Sequence, residues 1–270
     1  MEINLQGQIR EHGNPFIILE KTFDDKFFGC LNEEMFSDIK SRQVMGGRFI
    51  KQFDPEIFDE KEFPAWNEFY NFINSYEFKK KLQNEYENDL KYWKASTDFL
   101  DPNLKLELSW STSRDGYWRE PHYDTNGRLW GFLIFFNDKK WDGGDLTLHK
   151  VNNVFYHVRK YFLKKLPIRN VVEAKSNRGV FWLSSPNSYH SVSLQKNTKE
   201  KRKFIVGHFY SNQKIFHRKI SNKFNINNFI SDLINYIFLK IRVRILNSNG
   251  NLNSRFLKKI KKVLNFVHRK

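Results

Sequence analysis

The sequence predicts a mainly β protein, a β-sandwich or barrel-like jelly roll, with helices before and after its strands. Three observations carry this. Between residues 104 and 212, short apolar or alternating segments recur with turn residues between them. Ahead of them, residues 1–100 space their apolar side chains mostly as helices do. Behind them, residues 214–270 return to helical spacing and carry dense positive charge. We therefore divide the chain into an N-terminal helical support region (1–100), a β core (101–213) and a C-terminal helical basic tail (214–270).

The N-terminal region opens with a short strand, Phe16–Leu19, and Asp24 or Asp25 can cap a helix running to about Ile39. From Phe63 to Trp93, the residues Trp66, Phe69, Tyr70, Ile73, Leu82, Tyr86, Leu90 and Trp93 recur at helical spacing. We read this aromatic stripe as core packing. In the β core, LKLELSW alternates with period two, and GFLIFF is a continuous apolar run suited to a strand buried on both faces. The turn WDGGDL follows, punctuated by Gly143 and Gly144, and leads into LTLHKV. NRGVFWL, HSVSL and KFIVGHFY read as later strands, and VFYHVRKYFLKKLPIRNVVEA as an insertion of mixed character.

Composition narrows the class. Of 270 residues, 40% are hydrophobic and 17% aromatic, with 27 Phe, which excludes a disordered chain. The single cysteine, Cys30, excludes an internal disulfide framework and fits a reducing compartment. The first residues hold no apolar run of signal-peptide length. No window reaches the roughly 18 consecutive apolar residues of a membrane span, because Lys240, Arg242 and Arg244 interrupt the greasiest stretch, Leu233 to Leu246. The expected location is cytoplasmic. The net charge of +16 is uneven: 14 of 46 bases but one of 30 acids, Asp232, lie in residues 214–270. That segment carries +13 and leaves +3 for the other 213 residues, so the charge speaks of where the protein goes rather than of its core chemistry.

One constellation carries chemistry. His122-Tyr123-Asp124 follows Pro121, and on an extended strand residues i and i+2 project to the same face. The imidazole and carboxylate can then share one ion. His190, 66 residues beyond Asp124 and opening an apparent strand, supplies a second imidazole. Two histidines and one carboxylate on one face of a metal leave open positions, which suits ferrous iron binding a co-substrate and oxygen. A structural zinc site would want four protein ligands, usually with cysteines. Arg202 lies 12 residues after His190 and shares a strand face with Phe204, Val206 and His208. A guanidinium facing an interior needs an anion, and its planar fork matches a carboxylate. Lys203 has the opposite parity, and Lys201 lies nearer the turn. His208 shares the Arg202 face and is a candidate to touch the cofactor cavity, but a hydrogen-bonded core histidine is the preferred reading; His149 and His157 read as structural or solvent-exposed, and Asp145 as a turn residue rather than a ligand. Lys139-Lys140 and Lys199-Glu200-Lys201 read as solvated loop charges.

Over about residues 104–211 the chain resembles the iron(II)- and 2-oxoglutarate-dependent dioxygenases, and within them the prolyl 4-hydroxylase-like group. Gly116 stands six residues before His122, as in that family's spacing. GFLIFFNDKKWDGGDLTL is similar to its apolar strand, Asn, then Trp-x-Gly-Gly-acid-Leu, and NRGVFWLSSPNSYHSVS to its Gly, apolar strand and distal His-x-Val. The resemblance implies a double-stranded β-helix (jelly roll) flanked by N-terminal helices. It implies iron bound by His122, Asp124 and His190, with Arg202 anchoring the distal carboxylate of 2-oxoglutarate. It also implies oxygen as oxidant, succinate and CO2 as products, and ascorbate as a candidate addition. Where many members carry Tyr three residues before the glycine, this chain has Ser113; Ser113, Tyr117 and Trp110 are the candidate substitutes. Asp124 fills the coordination position that a halide takes in a halogenase, which favours hydroxylation or another two-electron oxidation.

The expected enzyme acts on a protein residue, a glycan or a small metabolite. A nucleic-acid demethylase and a non-catalytic binding protein on the same fold are the alternatives. In the tail, Ile226, Phe229, Ile230, Leu233, Ile234, Ile237, Phe238, Ile241 and Ile245 form one apolar stripe. Phe256, Leu257, Ile260, Val263, Leu264 and Val267 form a second, beside Lys258, Lys259, Lys261 and Lys262. That pattern predicts peripheral attachment to an anionic membrane face. Core packing or a homodimer interface is an equal reading for residues 226–246, and nucleic acid ranks behind the membrane.

Overall fold

The structure, a computed structural model, describes residues 2–3, 5, 14–35, 42–45, 48–53, 60–93, 104–124, 127–150, 166–185 and 187–211. Nearly all of these fall in one compact unit, Met1–Asn152 with Pro167–Ser221; the second unit, Asn153–Leu166 with Asn222–Lys270, lies almost wholly outside them. The tail expectations therefore concern residues outside the description.

Two antiparallel sheets form the core. The elements run β1 (Phe16–Leu19), α1 (Asp25–Met35), β2 (Arg42–Met45), β3 (Arg48–Phe53), α2 (Pro64–Asn74), α3 (Tyr76–Glu85) and α4 (Glu87–Trp93). There follow β4 (Lys105–Ser113), β5 (Arg119–His122), β6 (Arg128–Phe135), β7 (Leu146–His149), β8 (Ile168–Val172), β9 (Gly179–Leu183), β10 (His190–Val192) and β11 (Arg202–Tyr210). The larger sheet has the order β1-β9-β6-β11-β4-β3-β2 and the smaller β5-β10-β7-β8. This is the jelly-roll architecture that the recurring short strands predict.

Period-two alternation explains why the central strands read as continuous apolar runs. On β6, Phe132 and Ile134 join the core under the helices, whereas Leu133 and Phe135 join the core between the sheets. On β9, Phe181 and Leu183 face the helices, and Val180 and Trp182 face the smaller sheet, meeting Leu146, Leu148, Val172 and Val192. Both faces are covered, so no polar residue is needed at alternate positions. The helical stripe packs as expected: Trp66, Phe69, Ile73, Leu82, Tyr86 and Leu90 are buried, with Trp66 5.0 Å from Trp110 ring to ring.

Local capping sets the helices. Asp24 Oδ1 accepts from the backbone N–H of Phe27 at 2.9 Å, so Asp24 caps α1. At α2, Pro64 occupies the first turn and Phe63 offers no side-chain cap. Glu34 of α1 supplies it instead, accepting from Ala65 N and Trp66 N at 3.0 and 3.1 Å. Its carboxylate also meets the positive end of the helix, and such a cap is worth about 1 kcal/mol.

Two features depart from the sequence reading. The region read as helical beyond Phe16–Leu19 also contributes β2 and β3, which extend the larger sheet beside β4. The segment read as a mixed insertion ends in β8, which pairs with β7 in the smaller sheet. β3 (RFIKQF) and β8 (IRNVV) lack clean alternation, mixing charge and apolar residues; β8 is an edge strand, and β3 lies next to the edge strand β2.

Candidate metal centre

The smaller sheet places two of the three candidate ligands directly opposite each other. His122 ends β5, His190 opens β10, and they are register partners with ring centroids 4.3 Å apart. Asp124 lies two residues beyond His122 and is buried. One ligand atom from each of His122, Asp124 and His190 lies within 4.8 Å of the others.

The tautomers are set by the backbone. His122 Nδ1 donates to the carbonyl of Glu120, two residues before it, at 2.8 Å. His190 Nδ1 donates to the carbonyl of Ser188 at 3.0 Å. With Nδ1 protonated, each Nε2 carries the lone pair a metal takes. His122 Nε2 is buried and has no hydrogen-bond partner among the described residues. Burial, the neighbouring His190 ring and Arg119 push the His122 imidazole down to about 3. Burial lowers His190 as well. Both are neutral at physiological pH, as metal ligands must be.

Asp124 is held from behind. Trp182 Nε1 donates to its Oδ2 at 2.8 Å, and His208 Nε2 lies 3.5 Å from the same oxygen. Burial would raise this carboxyl, but the hydrogen bond from His208 and the nearby imidazoles keep it well below the usual carboxylate range. One oxygen is thus committed to the protein and the other is left to an ion. His208, half-buried on the Arg202 face, meets a candidate ligand itself, so it belongs to the surroundings of the site rather than to a separate core. Trp182 was not singled out by sequence; the signal was Gly131, its register partner on β6. A Cβ at Gly131 would stand 2.3 Å from the indole, so only glycine lets that ring lie flat across the strand.

Arg202 opens β11 and is wholly buried. Its Nε, Nη1 and Nη2 have no hydrogen-bond partner among the described residues. Its guanidinium carbon lies over the Phe135 and Phe204 rings at 5.0 and 4.5 Å. Burial pushes its pKa down to about 10, still charged at neutral pH. A buried cation with three idle donor nitrogens is costly, and the fork invites an oxyanion. Across the ladder stands Ser113, whose hydroxyl donates to Gln195 Oε1 at 2.8 Å. Trp110 belongs to the core under the helices and drops out as a substitute for the family tyrosine. Tyr117 belongs to the interior core and acts electrostatically on Arg202, so it remains a candidate beside Ser113.

Other sequence expectations resolve simply. Lys203 lies half-buried on the opposite parity, its backbone N–H bound to Asn137 Oδ1 at 2.9 Å. Lys139 is not a solvated loop charge: it holds Asp145 at 2.8 and 3.0 Å in a largely buried pair that closes the Gly143-Gly144 turn. His149 is buried and bonded to Ser191 Oγ at 2.8 Å. His157 lies outside the described residues. Among the described residues, no helix is long and apolar enough to cross a membrane.

Solved structures share this fold. The chain superposes on a prolyl 4-hydroxylase from Phytophthora capsici with a TM-score of 0.53 at 16% identity, covering 83% of this chain and 67% of that one. An oxidoreductase of the 2OG-Fe(II) oxygenase family from Burkholderia pseudomallei gives 0.50 at 11% identity, covering 76% and 89%. This chain has the fold of the 2-oxoglutarate- and iron(II)-dependent oxygenases. A non-haem alpha-ketoglutarate-dependent epimerase of nogalamycin biosynthesis also matches, at 0.50 and 9% identity, covering 78% and 84%, so the fold spans more than one reaction type. No known protein family's sequence pattern matches the chain, and neither does any curated protein.

Proposed function

We propose that this protein is an iron(II)- and 2-oxoglutarate-dependent dioxygenase that hydroxylates, or otherwise oxidises by two electrons, a protein residue, a glycan or a small metabolite. The observation that carries the proposal is the pairing of two idle sites in one interior. His122 Nε2 is an orphaned buried ligand atom beside Asp124 and His190, and Arg202 is an orphaned buried guanidinium. An N,N,O donor set suits a divalent iron that keeps open positions, and a buried fork suits a carboxylate. Bound iron and 2-oxoglutarate would supply oxygen activation, with release of succinate and CO2.

The chain's own residues do the rest. His122 and His190 would hold the ion through Nε2, with Glu120 and Ser188 carbonyls fixing the ring planes. Asp124 would give its free oxygen while Trp182 and His208 hold the other. Arg202 would receive the distal carboxylate between Phe135 and Phe204, whose rings exclude water and strengthen the pairing. The test is succinate release from 2-oxoglutarate with iron(II) and oxygen. Arg202→Ala should raise the 2-oxoglutarate requirement at least about tenfold, the loss of a charge-assisted pair, while Lys203→Ala changes little. The reverse ranking contradicts the assignment.

A further inference from the structure

Two more arginines, Arg48 and Arg119, stand near this site with no anionic partner among the described residues. Arg119 and Val192 are register partners, as are His122 and His190. Three residues of β10 thus face four of β5, so β5 bulges. Val192 and His190 share a face, and the bulge turns Arg119 onto the face of His122, which simple alternation would forbid. Arg119 is half-buried and acts electrostatically on His122 and His190, and Asp124 acts on it. No hydrogen bond or ion pair satisfies its guanidinium among the described residues.

Arg48 comes from β3. Across β4 it pairs with Ser113, whose other partner is Arg202, so the two arginines flank one serine. Its guanidinium lies 5.5 Å from the Phe204 ring centroid and 5.9 Å from that of Tyr117. Nη2 donates to Ser111 Oγ at 2.9 Å, while Nε is buried without a partner among the described residues. Arg48 and Arg119 also repel each other, and burial with Arg48 and Arg128 lowers Arg119 against the pull of Tyr117 and Asp124. Among the described residues the nearby acids are engaged or turned away: Asp124 is held by Trp182 and His208, Asp145 holds Lys139, Glu107 lies 3.5 Å from Arg128, and Glu120 is exposed.

Charge counting then points to a substrate class, resting on the iron and 2-oxoglutarate reading above. Iron(II), the Asp124 carboxylate, dianionic 2-oxoglutarate and the Arg202 guanidinium sum to zero. Arg48 and Arg119 remain, two half-buried cations with no anionic partner among the described residues. We propose that Arg48 and Arg119 receive an oxyanion, a carboxylate or phosphate, carried by the primary substrate close to the bond that is oxidised.

The test uses the full chain loaded with manganese(II) and saturating 2-oxoglutarate, without oxygen. Inorganic phosphate and acetate are titrated separately by calorimetry. Wild type should bind at least one of them saturably, and which of the two binds tighter tells phosphate from carboxylate. Arg119→Gln and Arg48→Gln should each weaken that binding at least about tenfold, with Arg119→Lys recovering part of it. Affinity for 2-oxoglutarate should change less than affinity for the small anion. Equal anion binding in the variants overturns the proposal, as does absence of saturable binding in wild type, or a larger loss for 2-oxoglutarate than for the anion. If wild type fails to take manganese or 2-oxoglutarate at all, the underlying functional reading fails instead.

Discussion

At the scale of the residue, the site rests on side chains whose partners are the protein's own backbone. His122 and His190 each spend Nδ1 on a carbonyl two residues earlier. The cost appears in acid. His122 falls from its ordinary 6.5 to about 3, so the unfolded chain binds more protons than the metal-free fold between those pH values. Asp124, held well below 3.8, acts in the same direction lower down. Metal-free protein should therefore lose stability as pH falls from 6.5 towards 3, and His122→Asn should make that slope shallower. Urea midpoints measured across this range check it; parallel slopes for the two proteins would contradict the account. Much of this site was legible in the sequence. The spacing of His122 and Asp124 points to the pair although Asp124 lies just past the end of β5, and Arg202 follows from same-face parity on β11. Arg119 did not follow, because a bulge breaks parity and leaves no mark in residue types. Tyr117 and Trp110 could be told apart only when β4 showed which face each core occupies.

At the scale of the element, neighbouring strands set the ligand geometry. Trp182 on β9, Gly131 on β6 and His208 on β11 stand in one row across the larger sheet. The missing side chain at Gly131 lets the indole lie across β6 and reach Asp124. Gly131→Ala should displace the ring and loosen the carboxylate. Trp182→Phe removes the donor but keeps most of the packing. Both should weaken iron binding by about tenfold, the low end for loss of an outer-shell partner, which competition against a metal indicator measures. Unchanged affinity in Trp182→Phe would remove the indole from the metal's support. The strands with continuous or alternating apolar character were legible, since their two buried faces leave a strong pattern. β2, β3 and β8 were not, because short strands with mixed residues carry little periodicity, and pairing with β3, β4 and β7 respectively decides them.

At the scale of the whole molecule, charge and chemistry separate. The basic residues concentrated in 214–270 lie outside the described residues, while the candidate site occupies the β core. The tail pattern leads to a distinct expectation. Full-length protein should co-sediment with anionic vesicles at low salt and not with neutral ones, and truncation after Asn212 should abolish it. Full-length protein staying in the supernatant would transfer the tail to dimerisation or nucleic-acid contact. The central claim concerns the core, and metal stoichiometry tests it most directly. Purified protein reconstituted anaerobically with iron(II) should hold one iron per chain. His122→Ala, Asp124→Ala and His190→Ala should each lose most of it while keeping the wild-type circular dichroism, and Arg202→Ala should retain it. Full iron in all three ligand variants, or none in wild type, would contradict the account.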